Sequence, residues 1–209
     1  MRTVVISGVP GVGKSTALDI LSQGYVEPSG GLLYVAPEPV ERWEDCLGRY
    51  LCGGASALEL QSAVLLAFHE RDRKIKDAIA SLAPNPDAAN VVILERDHAD
   101  ATLFCLTMHE MGSLSNPEFS LLMRLSGALF RDKRPEDARI LLRAGVDTAL
   151  ERVRSRGRSC ESEMEQDYMA TLSRIHEETA EGAAWQCIDT DGTDPKGVAA
   201  SIASIIGLV

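Results

Sequence analysis

Residues 8–15 read Gly8-Val9-Pro10-Gly11-Val12-Gly13-Lys14-Ser15, a complete G-x-x-x-x-G-K-[ST] phosphate-binding loop. The backbone N–H groups of such a loop, with the helix N-terminus that follows, converge on a β-phosphate. Lys14 is placed to reach the β- and γ-phosphates and Ser15 to coordinate Mg²⁺, with Thr16 next in line at the helix start. The ligand class is therefore a nucleoside triphosphate with Mg²⁺, taken here as ATP. Four other groups carry chemistry. Glu38 stands between Pro37 and Pro39, and a carboxylate held there can accept the proton of an attacking hydroxyl; the plainer alternative is a cap on the Trp43 helix. Glu95-Arg96 closes an apolar run, as a Walker-B acid does, with Glu95 near Mg²⁺ and Arg96 holding reacting oxygens, pairing with Glu38 or forming a plain salt bridge. Arg152, Arg156 and Arg158 form the dense basic cluster of the chain; they suit either a lid over the transferring phosphoryl group or a solvated basic helix end. Gln61 shares a helix face with Val64, Leu65 and Phe68. Spacing alone favours a hydrogen-bonded core amide there over one that pairs with a base edge.

The elements that must position these groups alternate. Apolar, β-branched runs at 3–7, 32–36, 91–95, 139–143 and 185–189 predict five strands. Helical patterns predict helices at 14–21, 43–51, 57–82, 100–111, 117–130, 148–156, 163–181 and 195–206. Strands alternating with longer helices predict an α/β fold, a five-stranded parallel sheet covered on both faces. The unbroken apolar run 91–94 suits a strand buried on both sides. Loops are marked at 29–31, 53–54 and 84–87. In open α/β sheets, ligands sit outside the carboxyl ends of the strands, which places Glu38 and Glu95 beside the phosphate loop.

With 209 residues and no Pro/Gly/Ser-rich linker, the chain reads as one domain. A formal charge of −10 argues against nucleic acid as the main partner. Five scattered cysteines without C-x-x-C spacing suggest reduced thiols in a cytosol-like compartment, with neither a zinc site nor a disulfide framework. The histidines His69, His98, His109 and His176 show no ligand spacing. No signal peptide and no run of membrane-spanning length is visible, so no membrane partner is expected.

Taken together these segments resemble the deoxyribonucleoside kinase family, which includes thymidine kinases of the herpesviral and mitochondrial type. The resemblance rests on residues 8–15, on Glu38-Pro-Val-x-x-Trp43, on Gln61, on Glu95-Arg96, and on Arg152-x-x-x-Arg156-Gly-Arg158 with Glu161 and Tyr168 downstream. It implies a P-loop NTPase-type three-layer sandwich with an arginine-rich lid at about 152–163, and transfer of the γ-phosphoryl of ATP to the 5′-hydroxyl of a deoxyribonucleoside. It also implies roles. Glu38 becomes the general base, Trp43 lines the nucleoside pocket, and Gln61 pairs with the base rather than filling the core. Glu95 joins the Mg²⁺ shell, and Arg96 contacts the 5′-oxygen. Lys14 and the lid arginines stabilise the phosphoryl group, while Tyr50 and Glu161 hold the sugar 3′-hydroxyl. Gln61, Val64 and Phe68 form a pocket that suits thymidine or another pyrimidine. Three departures, Leu60 before the amide, Asp97 after Arg96 and Phe104 as the displaced base-sandwiching aromatic, are all expected to touch that pocket. Family members pair as dimers, with the apolar helices at 100–111 and 117–130 available as the interface. Rival readings are a nucleoside monophosphate kinase such as a thymidylate kinase, and a non-catalytic nucleotide-dependent module. A fixed Glu38 carboxylate suits a neutral hydroxyl better than an acceptor that is already phosphorylated.

Overall fold

The computed structural model describes residues 1–82, 90–157, 165–183 and 185–209, with the side chains of 80 and 82 left aside. The loop expected at 84–87, Arg158, Glu161 and the far half of the expected lid lie outside the described residues. Five strands form one sheet: β1 (Arg2–Ser7), β2 (Leu33–Ala36), β3 (Val91–Glu95), β4 (Ala138–Arg143) and β5 (Gln186–Asp189). Their order is β2-β3-β1-β4-β5 and every pairing is parallel. Among the described residues eight helices connect and cover them: α1 (Lys14–Gly24), α2 (Glu44–Leu51), α3 (Ala57–Leu82), α4 (His98–Glu110), α5 (Asn116–Leu129), α6 (Val146–Arg156), α7 (Gln166–Gly182) and α8 (Pro195–Ile206). A single 3₁₀ turn, Val40–Arg42, precedes α2.

Strand side chains alternate between two faces, and both faces are dry. Val4, Ile6, Val91, Ile93, Ile140 and Leu142 pack under α1, α6, α7 and α8. Val5, Val92 and Leu94 pack on the other face against Ile75 of α3. All five residues of β3 are buried, as the unbroken apolar run required. A separate helical cluster of α3, α4 and α5 residues, centred on Phe68, Leu65, Met108 and Leu122, lies beyond the sheet.

The expected strands and helices all occur, with ends shifted by one to three residues; α1 runs on to Gly24 and α7 begins at Gln166. Helix α4 starts at His98 because the Asp97 carboxylate accepts from the Ala99 N–H, while Asp100 accepts from the Asp97 N–H. Helix α6 starts early, at Val146, and runs through Arg156 to a left-handed Gly157. The described part of the expected lid is therefore the end of a helix, in line with the helix expected at 148–156.

Register positions the chemistry. Ile6 pairs with Glu95, so the end of β3 lies beside the start of the phosphate loop, and the Arg96 N–H donates to the Ile6 carbonyl at 3.0 Å. Ala36 pairs with Leu94, which brings Pro37 and Glu38 level with Glu95 and Arg96.

Candidate active site

The phosphate loop leaves β1 at Ser7 and enters α1 at Lys14. Gly8 has φ 136° and Gly11 φ 82°, and a Cβ at either would lie 2.3 Å from the Leu142 carbonyl oxygen or 2.1 Å from that of Ala149. Only glycine fits both positions, in conformation and in space. Lys14 Nζ donates to the Gly8 and Val9 carbonyls at 3.0 and 2.9 Å. Burial, followed by the charge of Arg96, lowers the Lys14 pKa to about 7.

Two acids and an arginine face this loop. Ser15 Oγ donates to Glu95 Oε1 at 2.8 Å, so a hydroxyl and a carboxylate lie side by side where the loop meets β3. Arg96 turns out of β3 with φ 52°. Its Nη1 donates to both Glu38 carboxylate oxygens, at 2.9 and 2.7 Å, and its Nε and Nη2 donate to the Gly8 carbonyl at 3.1 and 2.8 Å. Burial opposes the Arg96 charge, yet Glu38, Asp100 and Glu95 outweigh it and raise the guanidinium pKa. Glu38 is thus tied through one guanidinium to the backbone of the phosphate loop.

These groups open onto a cleft of about 1810 Å³. That exceeds the roughly 300–1,000 Å³ that hold one drug-sized ligand, and leaves room for two substrates end to end. Residues 10–16 line one part of it. Trp43, Tyr50, Leu60, Gln61, Val64, Phe68, Phe104, Met108 and Tyr168 line another. Gln61 is 2% exposed, and among the described residues its amide meets sulfur alone: Nε2 donates to Met108 Sδ at 3.3 Å, and Oε1 accepts from Cys105 Sγ at 3.6 Å. Thioether and thiol are weak partners, so this amide keeps hydrogen-bonding capacity that an ordinary core glutamine would have spent. Phe104 carries the Arg96 guanidinium 4.8 Å above its ring and His176 at its edge.

Of the residues singled out from sequence, Lys14, Ser15, Thr16, Glu38, Trp43, Tyr50, Gln61, Val64, Phe68, Glu95, Arg96, Phe104, Arg152 and Arg156 all line this cleft. Gly8 and Val9 stand behind it as acceptors for Lys14. Arg152 reaches the rim, where Nη1 and Nη2 donate to the Thr190 hydroxyl and carbonyl at 3.1 and 3.0 Å. One expectation is corrected. Leu60 and Phe104 line the pocket, but Asp97 does not: it is fully buried behind it, capping α4 and paired with Arg139 at 2.9 Å and Lys133 at 3.1 Å. The left-handed turn at Arg96 sends the next side chain away from the cleft. Burial alone would raise the Asp97 pKa, but His98, Arg139 and Lys133 hold it well below the usual carboxylate range.

Arg71 was not singled out. It is buried on α3, and its guanidinium donates to the Glu95 and Arg96 carbonyls, each at 2.8 Å. The available signal was a charged residue three positions after Phe68, continuing the buried stripe of Gln61 and Phe68.

Comparison with known proteins gives a consistent result. The sequence model of the deoxynucleoside kinase family matches residues 4–196. A protein of Frog virus 3 (isolate Goorha), assigned as a deoxynucleoside kinase, is 27% identical over 169 residues, 81% of this chain and 77% of that protein. Among solved structures, deoxyadenosine kinase from M. mycoides with dCMP and a flexible dCDP bound aligns over 99% of both chains, with TM-score 0.77 and 20% identity. The same enzyme with dATP aligns over 98% of this chain and 99% of its own, with TM-score 0.73 and 18% identity.

Proposed function

The chain belongs to the deoxynucleoside kinase family and is an ATP-dependent phosphotransferase, and on that premise we propose that it phosphorylates the 5′-hydroxyl of a deoxyribonucleoside with Glu38 as general base. The observation that carries this reading is the Arg96 bridge, which aims the half-buried Glu38 carboxylate at the phosphate loop. As the 5′-oxygen bonds to the γ-phosphorus and the bridge to the β-phosphate breaks, the hydroxyl proton passes to Glu38 and ADP leaves. Arg96 stays charged through the step, orienting the carboxylate and facing the transferring oxygens. Lys14 exchanges the Gly8 and Val9 carbonyls for phosphate oxygens. Ser15 and Glu95 offer two hard oxygen donors in contact, which suits Mg²⁺. When bound there the ion neutralises charge on the phosphates.

The acceptor end takes the base against Gln61 and the sugar beside Tyr50, with Glu161 the second sugar ligand. Arg152, Arg156 and Arg158 serve the donor side. Gln61, Val64 and Phe68 line the acceptor part of the cleft, a lining that suits a single-ring base, thymine or another pyrimidine. The M. mycoides enzyme, crystallised with both cytosine and adenine deoxynucleotides, makes a purine the alternative outcome. The family habit of pairing supports a homodimer. The free thiols Cys46, Cys52, Cys105 and Cys187 support a reducing compartment. Among the described residues no helix is long and apolar enough to cross a membrane.

Two measurements test the reading. MgATP-dependent phosphorylation of the four deoxynucleosides and of thymidine monophosphate, side by side, should show turnover of nucleosides with a pyrimidine leading. Turnover of the monophosphate alone rejects it. Glu38→Gln should lower kcat by about 10²–10⁴-fold while nucleoside binding persists; near-parental kcat removes Glu38 from the base role.

A further inference from the structure

Helix α3 carries a buried cation that the phosphate chemistry does not touch. Arg71 lies ten residues after Gln61, about 15 Å further along the helix at 1.5 Å per residue, and is 8% exposed. Its Nη1 donates to the Glu95 carbonyl at 2.8 Å and approaches the Pro37 carbonyl at 3.4 Å; its Nη2 donates to the Arg96 carbonyl at 2.8 Å. These carbonyls belong to the residues where β2 and β3 run out and the parallel ladder stops supplying partners. Arg96 is also, among the described residues, the sole non-glycine with positive φ, a conformation that L-residues rarely adopt unless the surroundings hold it. The other face of the Arg71 guanidinium lies over the Phe68 ring, 4.7 Å from its centroid, and Nη2 stands 3.4 Å from Asp72, itself paired with Lys133 at 2.8 Å.

We propose that Arg71 is a positioning residue for phosphoryl transfer. By gathering the carbonyls of Pro37, Glu95 and Arg96 in one planar fork, it sets the relative height of the two strand ends and so aims Glu38 and Arg96 at the acceptor oxygen. Through Phe68 it fixes that height against the wall of the base pocket. This inference rests on Glu38 and Arg96 acting at the 5′-oxygen. A lysine keeps the charge but cannot span three carbonyls from one point. Arg71 touches no substrate, and its whole effect passes through the backbone of the residues that do.

The test compares Arg71→Lys and Arg71→Ala with the parent chain, using turnover per folded molecule, nucleoside Kd and thermal melting. Positioning predicts a fall in kcat of at least about tenfold in both variants, nucleoside Kd within about threefold of the parent, and partial recovery of Arg71→Ala in millimolar guanidinium. Should Arg71→Ala fail to fold, the split between kcat and Kd in Arg71→Lys decides. The proposal is overturned by unchanged kcat per folded molecule, by kcat and Kd that deteriorate in step, or by folded Arg71→Ala that guanidinium leaves unimproved. A parent chain that phosphorylates no deoxynucleoside overturns the functional reading and this inference together, whereas an active parent matched by Arg71→Lys overturns this inference alone.

Discussion

The Gly8 carbonyl accepts hydrogen bonds from two cations, Lys14 and Arg96. Burial first, and the neighbouring Arg96 charge second, lower the Lys14 pKa from 10.5 to about 7, so its ammonium readily gives up a proton near neutrality. A triphosphate beside Lys14 reverses that balance, because its negative charge favours the protonated form. Nucleotide binding between about pH 7 and 8.5 should therefore take up part of a proton. Calorimetry in two buffers of different ionisation enthalpy checks this; binding heats independent of buffer would rule it out. The ligand-free chain carries the matching signature. Between about pH 7 and 10.5 the unfolded state holds the proton that native Lys14 has released, so this group's contribution to stability rises with pH across that window. Lys14→Met should abolish both effects.

At the scale of elements, Asp97 ties α4 to β4. Its carboxylate caps the helix and faces the Arg139 guanidinium, which also donates to Asp100 at 2.8 Å and Glu136 at 2.7 Å. Asp97→Ala leaves a buried arginine short of a partner and should cost about 3–5 kcal/mol in a denaturant melt, with kcat per folded molecule little changed because Asp97 stays out of the cleft. Burial opposes ionisation of Asp97 and Asp100, but their histidine neighbours and Arg139 hold both carboxyls below 3.8 in the native state, so their stabilisation is present above that value and is lost as the pH falls through the native values. Asp97 also marks where the sequence stopped being legible. Contiguous features could be read directly: the phosphate loop, the five strands and the acids at their ends are local patterns whose chemistry needs only neighbours along the chain. The direction of a side chain past a strand end is not local. One left-handed residue, Arg96, turns Asp97 away from the pocket it adjoins in sequence. Arg71 escaped for a related reason, since its partners are carbonyls of residues 24 to 34 positions distant, and a carbonyl leaves no mark on residue type. The Gln61 amide shows the converse. Spacing favoured a core role, and only the sulfur atoms that surround it reveal unspent capacity.

At the scale of the whole molecule, the helices covering the acceptor end retain apolar surface. Leu66 of α3 is 47% exposed and Leu121 of α5 is 52% exposed, whereas α4 buries much of itself among its neighbours. The proposed homodimer should therefore meet through the outer faces of α3 and α5. A Leu66→Asp/Leu121→Asp double variant should run as a monomer by light scattering at concentrations where the parent is a dimer; a monomeric parent discards the pairing. With −10 formal charges on each copy, association should tighten as salt rises.

Helix α3 carries Gln61, the proposed reader of the base, and Arg71, the proposed anchor of the reacting end, on one continuous rod. Nothing between them can be lengthened without breaking the helix. On that proposal the rod would act as a calliper, with one jaw on the base edge and the other setting where the 5′-oxygen must lie. An acceptor with the right functional groups at the wrong span satisfies one jaw and misses the other, and a miss of 1 Å can cost about a hundredfold in rate. Selection by length is thereby added to selection by hydrogen bonding, without a further contact to the substrate.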